Sequence, residues 1–122
     1  MIGIIALALA VASPPDPAWL SGSWLLIKEE SDRDLAACAS GLPIAYNADG
    51  TYTLFEESGT WRLTGDKLVE VATEVHEDVA SAEEVALGKE YVSRIERLGP
   101  DEMRKLFADG VTMTLLRCPE AQ

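Results

Sequence analysis

The chain has 122 residues, enough for one small domain, and 48% of them are hydrophobic, which is sufficient for a packed core. Its 21 acidic residues outnumber 10 basic ones and give a formal net charge of −11. This charge argues against nucleic acid and anionic membrane surfaces as partners, because both attract clusters of lysine and arginine. An acidic surface favours solubility and is suited to a cationic protein partner.

The N-terminal segment, residues 1–12, is apolar and has no charged side chain. Its last three residues, Ala10-Val11-Ala12, have the small-x-small form that signal peptidase cuts. A dozen apolar residues are too few to span a bilayer, which takes about 20. We therefore predict a signal peptide over 1–12, a Pro-rich linker over 13–17 and a periplasmic or secreted domain over 18–122. A buried N-terminal strand or helix is the alternative, since no Lys or Arg precedes the apolar run.

Short apolar runs separated by turn residues dominate the predicted domain. A helical turn capped by Asp34 is one interpretation of 35–40, and a short helix or a loop crossing one barrel end is predicted over 78–88. Asp49-Gly50 and Asp109-Gly110 are strong hairpin signals. Strands are predicted over 18–30, 44–46, 51–55, 61–63, 67–76, 91–98, 102–107 and 111–118. Their spacing predicts an all-β fold, a small antiparallel up-and-down barrel of seven or eight strands with at most a short helix.

The run 67–76 alternates in polarity, which predicts a strand with one buried and one solvated face. On this prediction Val69, Val71, Thr73 and Val75 face the core, and Glu70, Glu74 and His76 face solvent.

One phrase occurs twice, as Ser21-Gly22-Ser23-Trp24 and as Ser58-Gly59-Thr60-Trp61. Each copy places a turn-prone Ser-Gly before a tryptophan, a pattern typical of the start of a strand whose first large side chain fills a core.

The two cysteines are Cys38 and Cys118. In an exported chain such a pair favours a disulfide over a metal site, with two unpaired thiols as the alternative. The first and last strands of a closed barrel are neighbours. Because Cys38 lies soon after the first predicted strand and Cys118 ends the last, a bond between them would hold the closure together.

The sequence also resembles a known family. Gly22-Ser23-Trp24, the run 46–52 and the run 59–68 are similar to the small bacterial lipocalin-like (calycin-type) domains of the cell envelope. The resemblance implies that Trp24 plugs one barrel end under a stacked Arg117. It further implies a small, partly apolar ligand. Barrels of this kind also act as protease or lysozyme inhibitors, which leaves an interaction module as the alternative function.

No residue pattern in the chain predicts catalysis, a metal site or a cofactor. His76 is the only histidine, no Gly-x-Ser-x-Gly occurs, and neighbouring acids on a strand point to opposite faces. We therefore predict a non-enzymatic protein whose ligand-binding residues are not identified. Five arginines lie in predicted strands, where they could bind an anionic group inside the barrel or, as we favour, pair across strands with glutamates: Arg62, Arg94, Arg97, Arg104 and Arg117.

Overall fold

The computed structural model describes residues 14–40, 43–54, 57–75 and 87–119. Eight strands form a closed barrel in chain order, and each strand is antiparallel to both of its neighbours. This architecture confirms the predicted fold class. The strands are β1 Gly22–Ile27, β2 Ile44–Tyr46, β3 Thr51–Leu54, β4 Glu57–Thr64, β5 Lys67–Val75, β6 Glu90–Gly99, β7 Glu102–Phe107 and β8 Thr112–Arg117.

A short helix, α1 (Pro17–Leu20), precedes the barrel. The Asp16 carboxylate caps it by accepting the Trp19 backbone N–H at 2.9 Å, and Pro17 occupies the first helical position, where its missing N–H costs nothing. The predicted strand over 18–30 is therefore wrong at its start, because the strand begins only at Gly22. Pro17, which the sequence assigned to the linker, belongs to this helix.

Two 3₁₀ helices, Glu30–Asp34 and Ala36–Ala39, follow β1 and lie in contact with it. The Asp34 carboxylate accepts the Ala36 N–H at 2.8 Å between them, where the sequence predicted a helical turn.

The predicted disulfide is confirmed, since Cys38 is bonded to Cys118 across 80 residues. The Cys118 N–H donates to the Ser23 carbonyl at 2.8 Å. The disulfide therefore links the second 3₁₀ helix, which contains Cys38, to the residue that is hydrogen-bonded to the start of β1. A loop of this length stabilises the fold by about 4.5 kcal/mol on the chain-entropy model.

The faces of β5 differ from the prediction. Leu68 and Ala72 are fully buried and Glu70 is 8% exposed, and all three face the barrel interior. Val71 lies on the outer face, where it pairs with Glu90 of β6. The prediction is wrong for Glu70, because an inward glutamate finds ionic and hydrogen-bonding partners inside the barrel. Glu74 is exposed, as predicted, and Val69 is buried.

The arginines of the strands pair mainly on the outer surface. Arg62 contacts Glu90 at 3.1 Å, Arg94 contacts Asp66 at 2.9 Å, and Arg104 contacts Glu96 at 3.0 Å. The favoured interpretation of cross-strand pairing with glutamates is therefore confirmed for Arg62 and Arg104, whereas Arg94 pairs with an aspartate in the turn between β4 and β5. Each exposed pair contributes at most about 1 kcal/mol.

The second copy of the repeated phrase has a different structural role from the first. Ser58 and Gly59 lie inside β4 at a register shift opposite β5, not in a turn before the strand. A Cβ atom at Gly59 would lie 2.0 Å from the Val71 carbonyl oxygen. The glycine is needed because the two backbones approach closely at this bulge.

Several predictions fall outside the described residues: the signal peptide over 1–12, His76, and most of the segment 78–88. Leu87 and Gly88 form a turn that leads into β6. Within the described ranges, no helix has the length and apolar character needed to cross a membrane.

We predict that Gly59→Ala lowers the free energy of unfolding by about 1–3 kcal/mol, because the added methyl group overlaps the Val71 backbone. Gly99→Ala is the matched control, since Gly99 also lies at a strand irregularity but has no atom within 4 Å of its Cβ position. Its free energy of unfolding should change by less than about 0.5 kcal/mol. Urea unfolding measures both, and equal effects of the two substitutions would contradict the packing argument.

Candidate functional site

One end of the barrel is sealed by tryptophan. Trp24 is fully buried, its Nε1 donates to the Leu20 carbonyl at 2.8 Å, and its ring meets the edge of Trp19 at a centroid distance of 5.2 Å. The Arg117 guanidinium lies 4.4 Å from the Trp24 ring centroid, in the position that the family resemblance implies. Such a stack contributes about 0.5–2 kcal/mol.

The Arg117 guanidinium donates hydrogen bonds to several groups at this end of the barrel. Its Nε donates to Asp101 at 2.9 Å, Nη1 to the Ser21 carbonyl at 2.8 Å and Nη2 to the Trp19 carbonyl at 2.5 Å. Gly22 leaves space for it, since a Cβ there would lie 2.8 Å from Nη1 and the Gly22 φ of +130° disfavours other residues. We therefore assign a structural role to the closed end, defined by Trp19, Trp24 and Arg117.

The barrel interior holds a group of ionisable side chains that we call the interior cluster: Tyr46, Tyr52, Glu57, Glu70 and Lys105. At its centre the Lys105 Nζ contacts Glu70 Oε1 at 2.9 Å, with both side chains about nine-tenths buried. The Tyr46 hydroxyl accepts from Lys105 at 3.2 Å and donates to Glu70 Oε2 at 2.7 Å. These three groups therefore satisfy one another away from water, as buried polar groups must.

The second part of the interior cluster lies beside the first. The Tyr52 hydroxyl donates to Glu57 Oε2 at 2.5 Å. Tyr52 is buried, whereas Glu57 is half-buried at the start of β4. Glu57 pairs in the ladder with Leu54, whose side chain packs against the core, so the carboxylate lies on the inner face of the sheet.

The phenol groups of the cluster are held neutral. Burial raises the pKa of Tyr46 well above its ordinary value, and the negative charge of Glu70 raises it further. Burial also raises the pKa of Tyr52, and so does the hydrogen bond that its hydroxyl donates to Glu57. Both tyrosines are thus hydrogen-bond donors to carboxylates at neutral pH.

Ser93 is a buried hydroxyl next to this cluster. It is 2% exposed and lies on the inner face of β6, between the strands that carry Glu70 and Lys105. Its Oγ has no hydrogen-bond partner within the part of the chain that the structure describes. Since buried hydroxyls are normally paired, this atom has hydrogen-bonding capacity that the described side chains leave unused.

Apolar side chains also lie on the inner face at the end of the barrel opposite Trp24, which we call the far end. Phe107 is half-buried, and its ring centroid lies 5.6 Å from the Lys105 Nζ. Met113 pairs with Lys105 in the ladder and is 36% exposed, and Tyr91 pairs with Glu70 and is also 36% exposed. The far end therefore combines an accessible apolar surface with buried polar groups beneath it.

A groove of about 680 Å³ lies outside the barrel beside the disulfide, lined in part by Leu35, Asp101, Leu116 and Arg117. Its charged groups, Asp101 and Arg117, already bond to each other. We therefore consider the barrel interior the stronger candidate for a functional site.

Two of the residues singled out from the sequence, Trp24 and Arg117, are in contact at the closed end. Trp61 lies in the core, where its ring centroid is 5.6 Å from that of Tyr46. Sequence reasoning missed Glu70 and Lys105. For Lys105 a weak signal was present, because it lies between Met103 and Phe107 at alternate positions of β7, although the intervening Leu106 is apolar. Among the described residues no cluster of three or more His, Cys, Asp or Glu side chains is arranged to hold a metal ion.

We predict that stability falls as the pH rises above about 10, the ordinary tyrosine pKa, because the unfolded chain then releases phenol protons that folded Tyr46 and Tyr52 retain. Below that pH both states hold these protons and the full contribution is present. Chemical unfolding at a series of pH values should show a shallower decline in the Tyr46→Phe/Tyr52→Phe variant. An identical decline in both proteins would contradict the assignment.

We predict that Lys105→Met lowers the free energy of unfolding by about 3–5 kcal/mol, because it leaves the Glu70 carboxylate buried without a cation. Glu70→Leu combined with Lys105→Met should recover most of this loss, since apolar replacement of a buried pair is often neutral. Arg104→Met, which breaks the exposed pair with Glu96, is the control and should cost less than about 1 kcal/mol. Urea unfolding that gave Lys105→Met and Arg104→Met the same cost would refute the prediction.

The geometry is that of a small closed antiparallel barrel of eight strands, consistent with the lipocalin-like fold that the sequence resembles. Comparison with protein-family models, with curated proteins and with solved structures found no match for this chain.

Proposed function

We propose that this protein is an exported, non-enzymatic, lipocalin-like barrel that binds a small, partly apolar ligand through its far end. The observation that carries the proposal is the interior cluster, in which Glu70, Lys105 and Tyr46 form a polar floor beneath exposed apolar side chains. Small-molecule sites commonly combine an apolar lining with a few placed polar groups in this way.

The energetics of the cluster support this choice. An ion pair inside a barrel is rarely the most stable arrangement, because apolar side chains of similar volume avoid the cost of desolvating two charges. The side chains of the closed end show that this chain can fill its interior with large apolar groups, such as Trp24, Leu68 and Met103. A polar floor is therefore better explained by recognition of a ligand than by stability.

The alternative, a protease or lysozyme inhibitor, does not require polar groups at the floor of the barrel, since such an inhibitor acts through its outer surface. The cluster therefore favours small-molecule binding. The disulfide fits an oxidising compartment and supports the proposal of a periplasmic or secreted protein.

We predict that the delipidated protein binds Nile red, a neutral apolar dye, with one molecule per chain. Fluorescence titration gives the affinity and native mass spectrometry gives the stoichiometry. Glu70→Leu combined with Lys105→Met should alter the affinity at least tenfold, because it removes the polar floor while leaving a folded barrel.

The matched control is Glu96→Gln combined with Arg104→Gln, which removes an ion pair from the outer face of the same sheet. It should leave dye affinity unchanged. Absence of stoichiometric binding, or equal effects of the inner and outer substitutions, would refute binding in the barrel interior.

A further inference from the structure

The charges of the interior cluster do not balance. Lys105 and Tyr46 occupy both oxygens of Glu70. Glu57, in contrast, accepts only the neutral Tyr52 hydroxyl, and among the described residues no cation pairs with it. Within the described ranges, the inner face of the barrel therefore carries one carboxylate, that of Glu57, that has no cationic partner.

Glu57 is also the most accessible acid of the cluster. It is half-buried, whereas Glu70 is 8% exposed. A group entering from solvent can therefore reach the Glu57 carboxylate, which has no cation beside it among the described residues. It cannot reach the Glu70 carboxylate, which Lys105 already neutralises.

The net charge of the chain, −11, has the same sign as the Glu57 carboxylate. An anionic group entering the barrel would be repelled by both, whereas a cationic group would be attracted. Cross-strand arginines that might have attracted an anion, Arg62, Arg94 and Arg104, pair with carboxylates on the outer surface instead.

Ser93 supplies a second, independent observation. Its buried hydroxyl faces the same interior and has no hydrogen-bond partner among the described residues. A ligand carrying hydrogen-bond donors is compatible with this atom, which accepts as well as donates.

We propose that the ligand of the far end is a lipophilic amine, with its ammonium group paired to Glu57 and its apolar chain packed against Phe107 and Met113. This inference rests on the proposed function and narrows it to one class of ligand.

The test uses three amphiphiles with the same ten-carbon chain, below their micellar concentrations, as competitors for bound Nile red: decylamine, decanol and decanoate. At neutral pH the Kd of decylamine should be at least tenfold lower than that of decanoate, with decanol between them. Glu57→Gln should reduce the preference for decylamine over decanoate at least tenfold.

Glu74→Gln is the matched control. Glu74 is exposed and pairs in the ladder with Ser58, the neighbour of Glu57, so its loss removes the same charge from almost the same place on the outer face. This variant should keep the wild-type preference. Loss of the preference in both variants would show a general charge effect and overturn the inference.

Other outcomes separate this inference from the proposed function. Tighter binding of decanoate than of decylamine overturns the amine proposal while the barrel remains a binder. Displacement of Nile red by a cationic protein such as lysozyme, and by none of the amphiphiles, also overturns it and favours a protein partner. Failure of Nile red itself to bind refutes the proposed function.

Discussion

Pairing of the first strand with the last is the constraint on which the rest of the structure depends. Once β1 pairs with β8, every strand has a neighbour on both sides and the sheet encloses an interior. The register of this pairing sets Trp24 directly opposite Arg117. The Trp24 ring, the Arg117 guanidinium and the disulfide therefore lie together where β1 pairs with β8. Arg117 also donates hydrogen bonds there to the Ser21 and Trp19 carbonyls and to Asp101. Closure, the aromatic plug and the covalent link reinforce one another because they occupy the same end.

The register that closes the barrel also determines which side chains share its interior. In a strand, a shift of one residue moves every side chain to the opposite face. The close contact between Gly59 and the Val71 backbone lies in the same β4–β5 pairing that sets Trp61 opposite Glu70. Glu70 is thus inside for reasons of backbone geometry, and Lys105, 35 residues away, is the partner that makes its burial tolerable.

This distance explains what the sequence could and could not predict. Local signals were sufficient for the barrel, because the hairpin dipeptides Asp49-Gly50 and Asp109-Gly110 and the strand spacing are properties of neighbouring residues. The cysteine pair was predictable from the closure of the barrel. The inward orientation of Glu70 was not predictable, since an alternating pattern assigns a glutamate to the solvent-facing side of a strand. The bonds from Tyr46 and Lys105 that make its burial tolerable are contacts across the barrel. The short helix α1 was missed because its capping residue, Asp16, lies in a Pro-rich stretch.

Stability and binding are separated along the barrel axis. The closed end has satisfied hydrogen bonds and large buried rings, so a ligand gains nothing by entering there. In the interior cluster, Glu70 and Lys105 are already satisfied by each other and by Tyr46, and a ligand need not reorganise them. Of the described groups in the interior, Glu57 has no cationic partner and the buried Ser93 hydroxyl has no hydrogen-bond partner. On the proposed function, the ligand therefore adds contacts to a floor whose own hydrogen bonds are already made. The charge of the ligand is then the main determinant of selectivity.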